Sequence, residues 1–293
     1  MSLKLSQHQF IAMGGPCELK LYLTEKQQPL LKKLEDEVRR IEKKYSRYLD
    51  DSVISKINNS YCQPITVDDE TAGLLNYAQS CFEISEGLFD ITSGILRQAW
   101  NFKKKTIPDQ NQLDQLLNNI GWERVRWDGK AITLENNMEI DFGGVGKEYA
   151  VDVLARMCEQ SGVCAGLINL SGDIRVVGPH PDGSPWQIGI QHPRKNNKAI
   201  ATISINEGAL TTSGDYERFI IVDGQRYYHI LNPKTGWPVH GAAAVSVQAD
   251  ECLVAGSMST IAMLKDEPGA KKWLGETGCE YLLVDKELNV FSS

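Results

Sequence analysis

Four islands in this chain set a glycine-permitted backbone turn beside charged or hydroxyl side chains. They are Ser85-Glu86-Gly87-Leu88-Phe89-Asp90-Ile91-Thr92, Asp141-Phe142-Gly143-Gly144-Val145-Gly146-Lys147, Thr212-Ser213-Gly214-Asp215-Tyr216-Glu217-Arg218 and His229-Ile230-Leu231-Asn232-Pro233-Lys234-Thr235-Gly236. Free backbone amides beside a few fixed charges suit a polyanionic ligand. At 141–147 a strand feeds a glycine turn that opens a helix, the geometry in which the first amides and the positive helix end attract phosphate. The tail Gly146-Lys147 invites a phosphate-loop reading. That reading fails, because Asp141 stands where the first loop glycine belongs and Glu148 replaces the Ser or Thr that would hold Mg²⁺. The plain alternative is a helix start whose glycines allow close packing.

The other islands also carry two readings each. Gly87 stops a helix, and an exposed Phe89 beside Asp90 would stack a flat heterocycle and accept its N–H donors. Spacing alone favours a core Phe with an Asp capping the next turn. His229 stands where a strand gives way to a turn, as a general base, a phosphate contact or an ordinary hydrogen-bonded residue. Asp215, Arg218 and Lys234 surround it in sequence and suit an anion site. Asn169-Leu170-Ser171-Gly172-Asp173 is a further strand-to-turn step with a carboxylate. His8, His180, His192 and His240 show no ligand spacing, and there is no G-x-S-x-G elbow, H-E-x-x-H pair or G-x-G-x-x-G turn after a strand. The residues by themselves point to an enzyme that binds a phosphorylated, aromatic ligand.

The elements that must position these islands fall in runs. Residues 17–23 alternate as a strand. Leu30, Leu31, Leu34, Val38, Ile41 and Tyr45 then recur at helical spacing, with Pro29 in the first turn. A second helix is expected over 69–86, with Asp68 as N-cap and Gly87 as stop, and a third over 109–120, ending at Gly121. Residues 125–134 turn at Asp128-Gly129 as a hairpin, and 138–142 reads as a strand running into the glycine turn. A helix through Tyr149 to Met157 follows, then strands at 166–170, 174–177, 186–191 and 200–205, and a hairpin of 219–222 with 225–231. Helices at 252–264 and after Pro268 precede a closing strand pair that turns near Asp285. Segregated strands and helices, without sustained βαβ alternation, predict an α+β fold.

Bulk properties narrow the function. The 293 residues carry a formal charge of −7, with no basic block dense enough for a nucleic-acid surface, and Lys103-Lys104-Lys105 reads as a solvated loop. No apolar run approaches the roughly 18 residues of a membrane span, and residues 1–8 show no signal-peptide pattern. Seven scattered cysteines without a C-x-x-C pair indicate neither a zinc site nor a disulfide framework. A cytoplasmic protein is expected as the chain stands, a periplasmic one if a leader has been removed.

Taken in order over about residues 13–264, these motifs resemble the ApbE family, the FAD:protein FMN transferases. Met13-Gly14 is similar to the family's opening turn. Tyr45-Ser46-Arg47-Tyr48-Leu49-Asp50-Asp51-Ser52, followed by Ile57-Asn58, resembles its post-helix segment. The resemblance implies FAD contacts at Met13, Tyr48, Leu88, Phe89, Asp90, Asp141, Lys147 and Leu231. It implies a catalytic role for His229, and Mg²⁺ ligation by the main-chain oxygen of Gly144 with Ser259 and Thr260. It implies an ApbE-like α+β fold of mixed and antiparallel sheets with helices around them, in two intimately packed lobes and a single domain over 1–293.

The activity implied is Mg²⁺-dependent transfer of FMN from FAD to a threonine of an acceptor flavoprotein, with release of AMP. No nucleic-acid or membrane partner is implied, and a homodimer is admissible. Departures from the family pattern keep alternatives open, namely an FAD-binding homologue without transfer and a pyrophosphatase giving FMN and AMP. In Ala255-Gly256-Ser257-Met258-Ser259-Thr260, Gly256 stands where the family's metal-binding Asp is expected. Glu148, where the family commonly has glycine, is a candidate substitute carboxylate. Ser171 likewise stands where a glycine is usual.

Overall fold

The computed structural model describes residues 2–102, 106–195 and 197–293; the Lys103-Lys104-Lys105 loop expectation lies outside them. Its centre is an eight-stranded antiparallel sheet whose spatial order follows the chain: β1 (Lys4–Ala12), β2 (Gly15–Leu23), β3 (Gly166–Leu170), β4 (Asp173–Gly178), β5 (Gly208–Gly214), β6 (Ala244–Ala249), β7 (Glu280–Val284) and β8 (Val290–Ser292). Helices are α1 (Leu30–Tyr45), α2 (Val53–Asn58), α3 (Asp69–Ile84), α4 (Gln110–Leu117), α5 (Gly146–Gln160), α6 (Cys252–Leu264) and α7 (Glu267–Thr277). The α+β expectation stands.

Strand alternation sorts the sheet's side chains into two cores. Val245, Val247 and Leu283 join a cluster beneath the helices, where α6 packs on β5 and β6, α5 on β4, and α1 on α5. Ala244, Leu282 and Val284 point the other way, into a second cluster. That face is covered by the hairpin of Trp186–Gln191 and Ala199–Ile205, which lays Trp186, Ile188 and Ile190 over Leu167, Ile174 and Val176. The amphipathic α1 buries Leu34, Val38 and Ile41 completely, each worth about 1.5–3 kcal/mol of apolar burial.

A third, smaller cluster gathers Leu96, Trp100, Leu113 and Ile220 with Tyr227, Leu231 and Trp237. It joins the 3-10 helix Ile91–Gln98, α4, the hairpin of Phe219–Val222 and Gln225–Tyr228, and the turn after His229. Trp100 Nε1 donates to Gly236 O at 2.7 Å and ties that turn to the cluster.

Residues 138–142, expected as a strand, pair with no ladder. Their backbone groups are satisfied individually: Ile140 N donates to Asn58 Oδ1 at 2.8 Å, Asn58 Nδ2 donates to Ile140 O at 3.0 Å, and Asp141 N donates to Ile91 O at 2.9 Å. One amide side chain does the work of a neighbouring strand. Among the described residues, no helix is long and apolar enough to cross a membrane.

Candidate active site

The glycine turn ahead of α5 is held by the segment just described. Asp141 Oδ1 accepts from Gly143 N at 3.0 Å, and its other oxygen is ion-paired with Arg47. The Arg47 guanidinium lies 5.3 Å from the ring centroid of Tyr48, a tyrosine that is 79% exposed. Arg47 was not singled out in the sequence; its only signal is its place beside Tyr48 in the segment after α1. Behind the turn, a Cβ added at Gly144 would lie 3.2 Å from Phe89 Cζ, so the turn rests directly on that ring.

Phe89 is therefore buried, at 4% exposure, rather than an open stacking platform. Asp90 is also committed internally. Its Oδ1 accepts from Thr92 N at 2.8 Å and Thr92 Oγ1 at 2.7 Å, and its Oδ2 accepts from Trp122 N at 3.1 Å. It caps the 3-10 helix Ile91–Gln98, and burial pushes its pKa up against these hydrogen bonds. The core-Phe and capping-Asp reading of this island is the one the structure has. The island nonetheless touches the His229 loop, since Lys234 Nζ donates to Glu86 O at 2.9 Å. A cavity of about 450 Å³ lies there, lined among others by Phe82, Glu86, Asp90, Gly121 and Lys234.

The charged centre lies at the start of α5. Lys147 Nζ sits 2.7 Å from Asp173 Oδ2, and Asp173 and Glu148 are only 4% and 8% exposed. Burial works against the Lys147 charge, but Asp173, Glu148 and Glu217 outweigh it and hold the pKa above its ordinary value. Burial, reinforced by Asp173, pushes Glu148 well above the usual carboxylate range. Burial also raises Glu217, against the pull of Lys147. Glu217 and Asp173, the latter from the weak strand-to-turn step at 169–173, thus belong to this centre. Asp215 does not, because both its oxygens accept from the Arg194 guanidinium, at 2.6 and 2.8 Å.

His229 N donates to Arg218 O at 3.0 Å. Burial, then the Arg218 and Lys147 charges, push the imidazole pKa down to about 4, and Nδ1 is buried without a hydrogen-bond partner among the described residues. A neutral imidazole with a free nitrogen is equipped to take a proton. Arg218 reaches toward the first turn, its Nη2 lying 3.4 Å from where a Gly14 Cβ would be. Met13 adopts φ 54°, with its N–H donating to Glu42 Oε1 at 2.6 Å. Leu231 bridges Pro238 and packs into the third cluster.

On α6, Ser259 and Thr260 turn their hydroxyls to Ser213 Oγ, at 2.9 and 3.2 Å, and Ser259 Oγ donates to Gly256 O at 2.9 Å. A Cβ at Gly256 would lie 2.5 Å from Glu148 Cγ and 3.2 Å from its Oε1. The Glu148 carboxyl thus fills the space that a side chain at 256 would need, with Oε2 buried and unpartnered among the described residues. Carboxyl and hydroxyl oxygens are donors suited to a hard divalent cation.

The model of the ApbE family matches residues 13–283. The chain belongs to the ApbE family. Two similar relatives of this ApbE protein, from Escherichia coli K12 and Chlamydia pneumoniae, are each named FAD:protein FMN transferase. They are 29% and 31% identical, over 85% and 81% of this chain and 74% and 77% of theirs. A crystal structure of the ApbE protein of Thermotoga maritima MSB8 superposes with a TM-score of 0.92 at 29% identity, covering 99% of this chain and 97% of that one.

Proposed function

We propose that this chain is an FAD:protein FMN transferase that moves FMN from FAD to a threonine of an acceptor flavoprotein and releases AMP. One observation carries the reading beyond family membership. Lys147, Arg218 and the neutral His229 share one electrostatic neighbourhood beside the glycine turn, which supplies cations for a pyrophosphate and a base for a hydroxyl. The sites implied by resemblance at Gly144, Ser259 and Thr260, with the unpartnered Glu148 oxygen close by, fit a divalent cation. A divalent cation held by these oxygens would neutralise phosphate charge and make the phosphorus more open to attack.

The chain's own residues do the rest. The Gly144 amide, outside the turn's own hydrogen bonds, and the positive end of α5 face the phosphates, and Lys147 and Arg218 balance their charge. Tyr48, exposed beside Arg47, offers a ring face for a heterocycle, and Phe89 supports the turn from behind. The threonine Oγ attacks the FMN-side phosphorus and forms a new P–O bond. The bond from that phosphorus to the bridging oxygen breaks, AMP leaves with that oxygen, and the hydroxyl proton passes to His229. Positioning and charge neutralisation dominate such a step.

The test combines the protein, FAD and a threonine-bearing acceptor domain, with and without Mg²⁺, and follows AMP and acceptor mass. Mg²⁺-dependent AMP release with an FMN-sized mass gain supports transfer. AMP release without an acceptor would make the protein a pyrophosphatase, and FAD binding without AMP would make it a flavin carrier.

A further inference from the structure

Glu148 is a carboxyl of the charged centre that has no basic partner of its own and lies against the Asp173 carboxyl instead. Asp173 is paired with Lys147, Asp141 with Arg47 and Asp215 with Arg194. Glu148 is 8% exposed, its Oε2 receives no hydrogen bond among the described residues, and it packs onto a glycine of α6 rather than a donor. Burying a carboxyl without a partner costs several kcal/mol where an apolar side chain would cost none. Two buried carboxyls held against one another call for a shared proton or a cation between them.

We infer that Glu148, reaching from α5 into the space beside Gly256, supplies the carboxylate ligand of a divalent cation at this site. The same volume would hold a short acidic side chain on residue 256 or the longer Glu148, but not both, given the 2.5 Å approach to Cγ. On the facing turn of α6, Ser259 and Thr260, grouped with Ser213, complete an all-oxygen environment that suits Mg²⁺ or Mn²⁺ over softer metals. The cation's part in catalysis rests on the transferase reading; its binding does not.

The experiment is Mn²⁺ titration of the purified protein, with and without FAD, read from the free-ion electron paramagnetic resonance signal. The expected result is that Glu148→Gln, nearly identical in shape, weakens Mn²⁺ binding roughly 10–100-fold. The exchange variant Glu148→Gly with Gly256→Asp should recover most of that loss. Urea midpoints of both variants establish that they fold, and Glu148→Gln alone decides the matter if the exchange variant does not. Wild-type affinity in Glu148→Gln, or no Mn²⁺ binding by the wild type, overturns the inference. Binding that depends on Glu148 in a protein that transfers no FMN refutes the transferase reading alone. Transfer with Mn²⁺ binding indifferent to Glu148 refutes this inference alone.

Discussion

Gly256→Ala should destabilise the protein, although the same change in a helix interior ordinarily stabilises by about 0.5–1 kcal/mol. Gly256 lies inside α6 and is buried. Its new Cβ would sit 2.5 Å from Glu148 Cγ, where carbon atoms normally keep about 3.5–4.0 Å apart. Glu148 is enclosed, so it cannot swing into solvent. Either the side chain leaves its rotamer or the helices part, and overpacking of this kind costs about 1–3 kcal/mol. Set against the helical gain, the net loss is about 0–2.5 kcal/mol.

The sign should reverse once the obstruction is removed. In a Glu148→Ala background, Gly256→Ala should stabilise by about 0.5–1 kcal/mol, so the two sites couple by about 1–3 kcal/mol. Urea unfolding of the four proteins at one pH measures this, and the effect of Glu148→Ala by itself drops out of the cycle. The m-values must agree for the comparison to hold. If Gly256→Ala stabilises the wild type as much as it does the Glu148→Ala protein, Glu148 does not occupy that space, and the argument for it as a cation ligand falls with it.

Three further outcomes follow from the same geometry. His229→Gln should slow FMN transfer to the acceptor by about 10²–10⁴ while FAD affinity changes little; an unchanged transfer rate would mean that the hydroxyl proton leaves another way. Asp90→Ala strips the acceptor from Thr92 N, Thr92 Oγ1 and Trp122 N, and should lower stability by about 2–4 kcal/mol in urea unfolding, whereas a loss below about 0.5 kcal/mol would mark these bonds as unimportant. His229 takes a proton near 6.5 when unfolded but only near 4 in the fold. Its contribution is therefore intact above pH 6.5 and lost as pH falls from 6.5 to 4, by up to about 3 kcal/mol at 1.36 kcal/mol per pKa unit; His229→Gln should flatten that part of the stability profile.

The helices were legible because their signals are local. Asp68 accepts from Thr71 N as an N-cap should, Asp109 does the same for Gln112 N, and α6 spans the expected residues. Strands were less so. β6, buried on both faces, reads Ala-Val-Ser-Val and lacks a polar alternation, and β5 presents threonines and a serine. Residues 138–142 alternate like a strand, and nothing local reveals that an asparagine from α2 will take their hydrogen bonds. Within the site, the turn chemistry of 141–147 was readable, but Arg47 against Asp141, or Glu148 against Gly256, depends on where α1, α5 and α6 come to rest. The burial of Phe89 has the same origin, for it depends on Gly144 packing on the ring.

The sheet's topology explains why residues so far apart meet. In an antiparallel sheet whose spatial order is its chain order, every second connection falls at the same end. The Met13-Gly14 turn after β1, the Ser171-Gly172 turn after β3 and the departure of the chain from β5 at Gly214 all lie there. The contacts agree: a Cβ at Gly15 would strike Ser171 Oγ at 2.2 Å, and Arg218 lies over Gly14. Ser171 and Met13 both accept the left-handed backbone, φ 54° in each, that such tight turns require. Asp173 starts β4 at this end and meets Lys147 there as α5 begins. Charges that lie on separate turns in sequence become one centre because the strands return to the same edge each time, and the helix dipole of α5 adds its positive end to that edge. The catalytic candidates are thus fixed at strand and helix ends, where backbone amides are unpaired and side chains can reach a ligand without breaking the ladder.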